Sequence, residues 1–393
     1  MDQVIFNTHD VVLLMTAYQC ILFAILLFTL RNEFWLRNTL LALFLLQHAA
    51  IPLDILINFG AEFRNIALSI SPNLFYVFDY GYWLEGPLLL WYTRSLIYKS
   101  YQLTWKDTLY LLPAAAYLIY QFFFYYSLDM DLKRALQEGY SLHIAPQYMN
   151  YVSLFREVFR TALGVLCLVE LTRYRKHLKR NYSDIEKLDL SWLTLLVTGF
   201  LLIRAWSVLV VFFVMLAIMY GVQVNFEIMG LLGNYTTFVL ISVLIFFSLR
   251  HSSICEGMDQ RYNDSECAEE PPKIQPQQAA RLTRAMEEEK LYLTPLTLDR
   301  LAEHLSLNPR TVSTIINRHF HCNFFEFVNS YRVEEAKRLL ACEGNDKSVL
   351  NIMYDVGFNS KATFNTLFKR KVGMTPTDYR KKVAQAQLGP QPS

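Results

Sequence analysis

The chain lacks several signatures that would settle its class at once. No Cys-x-x-Cys pair occurs among its six cysteines (Cys20, Cys167, Cys255, Cys267, Cys322 and Cys342), so neither a zinc site nor a disulfide framework is indicated. No Lys or Arg precedes Arg31, which removes the basic start of a secretory signal peptide, and the first apolar run is too long for the core of one. The phosphate loop G-x-x-x-x-G-K-[ST] is missing, which closes one route to nucleotide hydrolysis. Charge is scarce: Asp, Glu, Lys and Arg make up 18% of the 393 residues, and a net charge of +2 commits the chain to no partner. Apolar residues fill the difference, at 53% hydrophobic and 15% aromatic, with the aromatics concentrated before residue 250. That imbalance points to a membrane part fused to a soluble one.

A helix needs about 20 apolar residues to cross a ~30 Å hydrocarbon core. Seven segments qualify: 11–30, 39–59, 73–93, 107–127, 150–172, 191–220 and 228–249, the second, third and fifth among those that carry charges. Placing the N-terminus outside puts Arg31, Arg37, Arg94, Lys99, Lys106, Arg173, Arg175, Lys176, Lys179, Arg180 and Lys187 on the inner side. Only Arg64, Lys133 and Arg134 then lie outside, the bias that retention of basic residues produces. An odd number of spans delivers the rest of the chain to the cytoplasm.

Charges within spans are costly and need a reason. Glu85, Arg160 and Arg204 fall near mid-membrane, while Asp54, Asp79, Arg156 and Glu157 lie nearer the outer side. Arg156 and Arg160 share a helix face through i,i+4 spacing. Two readings stand side by side: an outward-facing pocket for a signal molecule, formed by Asp54, Asp79, Glu85, Arg156, Arg160 and Arg204, or interhelical ion pairs that hold the bundle. A retinal-type Schiff base is disfavoured because 228–249 has no lysine. No duplicated half with matching broken helices argues for a transporter. His9, His48 and His143 show no metal-ligand spacing and read as interface or packing residues.

Residues 251–280 change character, with Pro271, Pro272 and Pro276, a Gln-rich stretch and six acidic residues against two basic ones. They read as a flexible, solvated tether. Beyond it, 281–382 holds 17 basic and 12 acidic residues, a modest positive excess. The stronger signal is an internal repeat. Leu298, Leu301, Ala302 and Leu305 follow helix-face spacing, Asn308 and Pro309 suit a helix start, and Val312, Ile315, Ile316 and Phe320 form the next buried face. The pattern returns 51 residues later with Val349, Ile352, Met353 and Val356, a turn at Gly357, a cap at Ser360, and Phe364, Leu367 and Phe368. Two short helices about a tight turn, twice over, are two helix-turn-helix units. Phe324 to Ala341 reads as the helix between them, about 27 Å long at ~1.5 Å per residue.

The stretches LTLDRLAEHLSLNPRTVSTIINRHF, FFEFVNSYRVEEAKRLL and VLNIMYDVGFNSKATFNTLFKRKVGMTPTDYR resemble the DNA-binding domain of the AraC/XylS regulators. The resemblance covers about 100 residues and implies base contacts at Arg310, Ser313 and Thr314. The sequence departs from that family's pattern in places. Asn323 stands where glycine is usual, and asparagine also accepts the left-handed conformation. Met353 replaces the usual alanine, and Thr314 and Thr366 occupy positions where a basic residue is common. Helix phase gives the outward set of the first unit as Arg310, Thr314 and Asn317, flanked by Thr311, Ser313 and Arg318. In the second unit it is Ala362, Thr366 and Lys369, with Lys361 and Asn365 beside it. Arg310 suits guanine and Asn317 adenine. Lys361, Lys369 and Arg370 suit phosphate, so the second unit is expected to position more than it reads.

The sequence thus leads to an all-α chain: a seven-helix transmembrane bundle (1–250), the tether (251–280), a DNA-binding domain of two helix-turn-helix units joined by a linker helix (281–382), and a disordered tail (383–393). The function expected is a membrane-anchored, one-component bacterial transcription regulator in the inner membrane, with its DNA-binding domain cytoplasmic. The partners expected are double-stranded DNA, the lipid bilayer, an unknown signal molecule, a second copy of the chain and RNA polymerase; no cofactor and no catalytic residue are expected. The alternatives are a membrane transporter or enzyme carrying a regulatory DNA-binding domain, and spans that only anchor.

Overall fold

The computed structural model describes residues 7–29, 35–98, 101–138, 148–185, 190–220, 226–251, 276–342 and 347–387. Among these every regular helix or strand element is helical, and an isolated β-bridge joins Tyr182 to Thr297. The chain divides into two compact units, one of Met1–Thr172 with Leu190–Gln260 and the other of Arg173–Asp189 with Arg261–Ser393.

In the first unit the helices are α1 (Thr8–Thr29), α2 (Trp35–Phe59), α3 (Ala61–Ile70), α4 (Tyr80–Ile97), α5 (Leu112–Gln121), α6 (Met130–Glu138), α7 (Tyr148–Asn181, whose residues from Arg173 on belong to the second unit), α8 (Ser191–Tyr220) and α9 (Phe226–His251). α1 packs on α2 and α9, α2 also on α4, and α8 on α9. The apolar residues of these helices point both ways. Cys20, Ala24, Phe44 and Leu90 are fully buried, whereas Met15, Ile25, Phe28, Leu195, Leu202 and Phe246 are exposed. So much outward apolar surface is unusual for a protein bathed in water.

Among the described residues, five helical stretches are long and apolar enough to cross a membrane: Thr8–Thr29, Trp35–Phe59, Asp107–Tyr126, Ser191–Ala217 and Gly230–Phe247. The expected count of seven is not reproduced by length and composition. The two segments that drop out, at α4 and α7, are those bearing Glu85, Arg94, Arg156, Glu157, Arg160 and Glu170. Their charges are turned toward one another. At the crossing, a Cβ on Gly86 of α4 would lie 2.7 Å from the Leu163 side chain of α7, so a small residue there permits the close approach. The short helices α3 and α6 fall between the expected spans and had no counterpart in the apolar pattern. Arg64 and Lys133 tie them in, Arg64 donating to Asn58 O at 2.9 Å and Lys133 to Tyr126 O at 2.8 Å and Asn73 Oδ1 at 3.0 Å.

The second unit holds α10 (Pro276–Glu287), α11 (Leu298–His304), α12 (Pro309–His319), α13 (Phe324–Ala341), α14 (Val349–Asp355), α15 (Lys361–Val372) and α16 (Pro376–Gln387). Ala279, Leu282, Ala285 and Met286 of α10 join the core around Leu301, Ile315, Ile316 and Val328. α10 therefore includes residues 276–280, which their composition had placed in the tether, and α16 runs past residue 382 into the expected tail. The remainder of the tether lies outside the described residues.

Each helix from α11 to α15 starts on a side-chain cap. Thr297, Asn308, Asn323, Ser348 and Ser360 accept from the backbone N–H of Arg300, Arg310, Glu326, Asn351 and Thr363. Asn323 does this in an extended conformation with φ −86°, so the left-handed geometry expected there is not adopted; His321, two residues earlier, takes φ 53° instead. The turn between α14 and α15 rests on Gly357 at φ +90°, where a Cβ would lie 2.7 Å from Leu293 O and 2.8 Å from Tyr292 O. Both the backbone angle and the space therefore select glycine.

Candidate functional site

α12 and α15 are the second helices of the two helix-turn-helix units. Their apolar faces are anchored by Val312, Ile315 and Ile316 in one and by Phe364, Leu367 and Phe368 in the other. Burying these residues turns the opposite faces outward. Arg310, Asn317 and Arg318 are exposed on α12, with Thr311, Ser313 and Thr314 half-buried. On α15, Lys361, Ala362, Thr366, Lys369 and Arg370 are exposed and Asn365 is half-buried. Thr314 Oγ1 donates to Arg310 O at 2.7 Å, and Asn317 Nδ2 lies 3.4 Å from Ser313 Oγ, so both side chains sit along the helix surface. Arg370 pairs with Glu326 at 3.4 Å, which places its charge toward α13.

α13 holds the two halves together through a residue that helix phase did not single out. Arg332 is 1% exposed yet keeps a full set of acceptors. It donates to Tyr292 O at 2.7 Å, to Thr294 O at 3.0 Å and to Asn329 Oδ1 at 3.2 Å, and its guanidinium lies 5.7 Å from the centre of the Phe358 ring. Burial pulls its pKa down to about 10, which leaves it cationic at neutral pH. Amphipathic spacing marks an arginine as surface, so the signal that could have found it is only its place among Asn329, Val333 and Ala336, all buried.

In the first unit the charged residues expected within spans come together. Arg160 donates to Glu85 and, at 2.7 Å, to Glu157 Oε1. Arg204 approaches Glu85 at 3.5 Å and Glu157 at 3.7 Å. Arg156 pairs with Asp79 at 2.9 Å, and Asp79 also accepts from Tyr117 Oη. Asp54 instead accepts from Asn58 Nδ2 at 3.1 Å. The ring of Tyr82 lies under both Arg156 and Arg160, 4.2 and 5.2 Å from its centre, an arrangement favourable to each cation.

Above this cluster is a cavity of about 230 Å³ between α1, α2, α4, α7, α8 and α9. Its polar lining includes Arg156, Glu157, Arg160, Arg204, His48 and Asn234, and its apolar lining includes Ile51, Ile203, Trp206 and Val210. Of the six expected pocket residues, Arg156, Arg160 and Arg204 line the cavity. Glu85 pairs with Arg160 and Arg204 without itself lining the cavity, and Asp54 and Asp79 are not among the lining residues. His48, Tyr82, Glu157 and Trp206 were not in the expected set. His48 Nε2 lies 3.7 Å from Glu85. Among the described residues, the buried Nε–H groups of Arg156, Arg160 and Arg204 in the lining have no hydrogen-bond acceptor, and His48 Nε2 and Glu157 Oε2 have no hydrogen-bond partner.

Residues 301–382 match a family described as a helix-turn-helix domain. The chain is 33% identical over 90 residues to the melibiose operon regulatory protein of Escherichia coli K12, covering 23% of this chain and 29% of that protein. It is 31% identical over 99 residues to the transcriptional activator RhrA of Rhizobium meliloti, covering 25% and 31%. To the HTH-type transcriptional activator RhaS of an Enterobacter species it is 29% identical over 157 residues, covering 40% and 48%. The matched part is thus about a third to a half of those relatives' own length. No solved structure matches the chain.

Proposed function

Starting from an AraC-type DNA-binding domain at the C-terminus, we propose that the chain is a membrane-anchored transcription regulator whose membrane part senses a small molecule. α12 lies in a major groove and reads bases through Arg310, Ser313, Thr314 and Asn317, with Thr311 and Arg318 at its edges. α15 contacts mainly phosphate through Lys361 and Lys369, with Ala362, Asn365 and Thr366 facing the groove and Arg370 shared with Glu326. α13 is about 27 Å long at ~1.5 Å per residue, a length suited to setting two helices into grooves ~34 Å apart.

The membrane reading rests on the five apolar helices, with α4 and α7 as the two further crossings. Their charges are mutually paired, which lowers the cost of placing them among apolar helices. The inner bias of basic residues puts the N-terminus outside and the DNA-binding domain in the cytoplasm of a bacterial cell. A second copy of the chain and RNA polymerase complete the regulatory assembly.

The observation that carries sensing is the cavity whose lining holds buried donors without acceptors. Native interiors rarely leave such groups unmatched. A molecule that satisfies them has an apolar body for Ile51, Ile203 and Trp206. Its head group brings acceptor oxygens for Arg160 and Arg204 and a donor for Glu157.

Chromatin pull-down of the full-length protein tests the DNA half. Arg310→Ala is expected to lower promoter enrichment about 5- to 100-fold at sites with guanine opposite it, as loss of one bidentate contact does. Lys361→Ala is expected to lower it more evenly across sites. Enrichment equal to wild type in both variants would sink the assignment.

A further inference from the structure

The connection between α7 and α8 is not a plain loop, because residues 173–189 form part of the DNA-binding unit. Ser183 is its centre, 2% exposed although it follows directly on the long helix α7. Its backbone N–H donates to Leu296 O at 3.1 Å, and its hydroxyl donates to the same carbonyl at 2.7 Å. Leu296 N–H in turn donates to Ser183 Oγ at 3.2 Å, and the neighbouring pair Tyr182 and Thr297 makes an antiparallel bridge. Asn329 Nδ2 donates to Ser183 O at 3.0 Å, and a guanidinium nitrogen of Arg332 approaches Ser183 Oγ at 3.4 Å. Asp184 accepts from Asn359, and Ile185 is buried beside them.

These contacts fall on three different parts of the domain. Leu296 and Thr297 lead into α11, Asn329 and Arg332 lie on α13, and Asn359 precedes the cap of α15. The segment therefore touches the entry to the first helix-turn-helix unit, the spacer helix and the turn of the second unit at once. It takes the place that water or another chain would need to fill, since Asn329 and Arg332 are buried polar groups.

We propose that residues 182–185 are an intramolecular brace that docks in the groove between the two helix-turn-helix units, and that its release lowers the affinity of the domain for DNA. The physical reason is register. Two recognition helices bind together only if their separation matches the groove repeat, and the brace fixes the entry to α11 against the turn before α15. The same residues covalently join α7 and α8, which carry Arg156, Glu157, Arg160 and Arg204 of the cavity. What triggers release rests on the sensing reading above; the brace itself does not.

Hydrogen exchange on the full-length protein in nanodiscs, paired with chromatin pull-down, tests both parts. In Ser183→Ala the amide of Leu296 loses its acceptor. It is expected to exchange about 10-fold faster, along with the 357–361 backbone, while α12 and α13 core amides stay protected. Asp184→Asn is the milder variant and is expected to loosen 357–361 alone. Enrichment in Ser183→Ala should fall at least 5-fold at all bound sites alike. Unchanged exchange at Leu296, or unchanged or raised enrichment, overturns the brace. Arg204→Gln separates the trigger: faster exchange at Leu296 is expected. Wild-type exchange in that variant, with Ser183→Ala behaving as stated, overturns the link to the cavity and leaves the brace standing.

Discussion

Arg160→Met is expected to cost the first unit about 3–5 kcal/mol, the penalty for leaving buried charges without their partner. Glu85 and Glu157 are each 3% exposed, and Arg160 is hydrogen-bonded to both. Without it the nearest cation common to the two is Arg204, at 3.5 and 3.7 Å. Methionine fills much of the volume, so the loss is electrostatic and not a cavity. Removing a carboxylate as well should therefore recover part of it: Arg160→Met with Glu85→Gln is expected to be more stable than Arg160→Met alone. Thermal unfolding of the purified protein in detergent reads both. A single variant as stable as wild type, or a double variant less stable than the single, would remove charge pairing as the reason these helices cross.

Gly357→Val is expected to destabilise the second helix-turn-helix unit by about 3–5 kcal/mol, combining a left-handed backbone with overpacking. The β-branched side chain would meet Leu293 O and Tyr292 O, both under 3.0 Å from the first added carbon. Hydrogen exchange in α14 and α15 is the measurement, and promoter occupancy should fall with it. Gly373→Ala is the control. That residue also has φ +84°, yet nothing lies within 4 Å of the added carbon, so only the backbone cost of about 1 kcal/mol applies. Equal losses at the two glycines would show that the backbone angle alone matters and that the contact with Leu293 does not.

The sequence exposed those features that repeat or keep a period. The faces of α11, α12, α14 and α15 could be placed to the residue, because Leu301, Ile316, Ile352 and Phe368 recur at helical spacing. The bounds of α13 follow from the same rule. The cluster around Glu85 was half legible: a charge in an apolar run stands out, but its partners lie on other helices. Arg160 and Glu85 are 75 residues apart, and His48 and Tyr82 carry nothing that separates a cavity wall from packing. Asp54 and Asp79 stand out by charge as well, yet neither is among the residues lining the cavity. Arg332 was hidden because a buried arginine and a solvated one occupy the same letter in an amphipathic helix. The contacts of Ser183 were invisible for a different reason. They run to Leu296 across 113 residues, and a lone serine hydroxyl meeting backbone groups leaves no pattern in the sequence.

Those contacts bear on what proteolysis could achieve. A cut between α9 and α10 would release a fragment that begins near Pro276 and carries both recognition helices. It would leave residues 182–185 behind with α1 to α9. Leu296 N–H would lose its acceptor, Asn329 its bond to Ser183 O and Arg332 its 3.4 Å contact with Ser183 Oγ, at about 1 kcal/mol for each bond given up. Severing the domain is therefore not the same as liberating it. A soluble version for binding assays would need the 173–189 peptide supplied in trans or grafted ahead of α10.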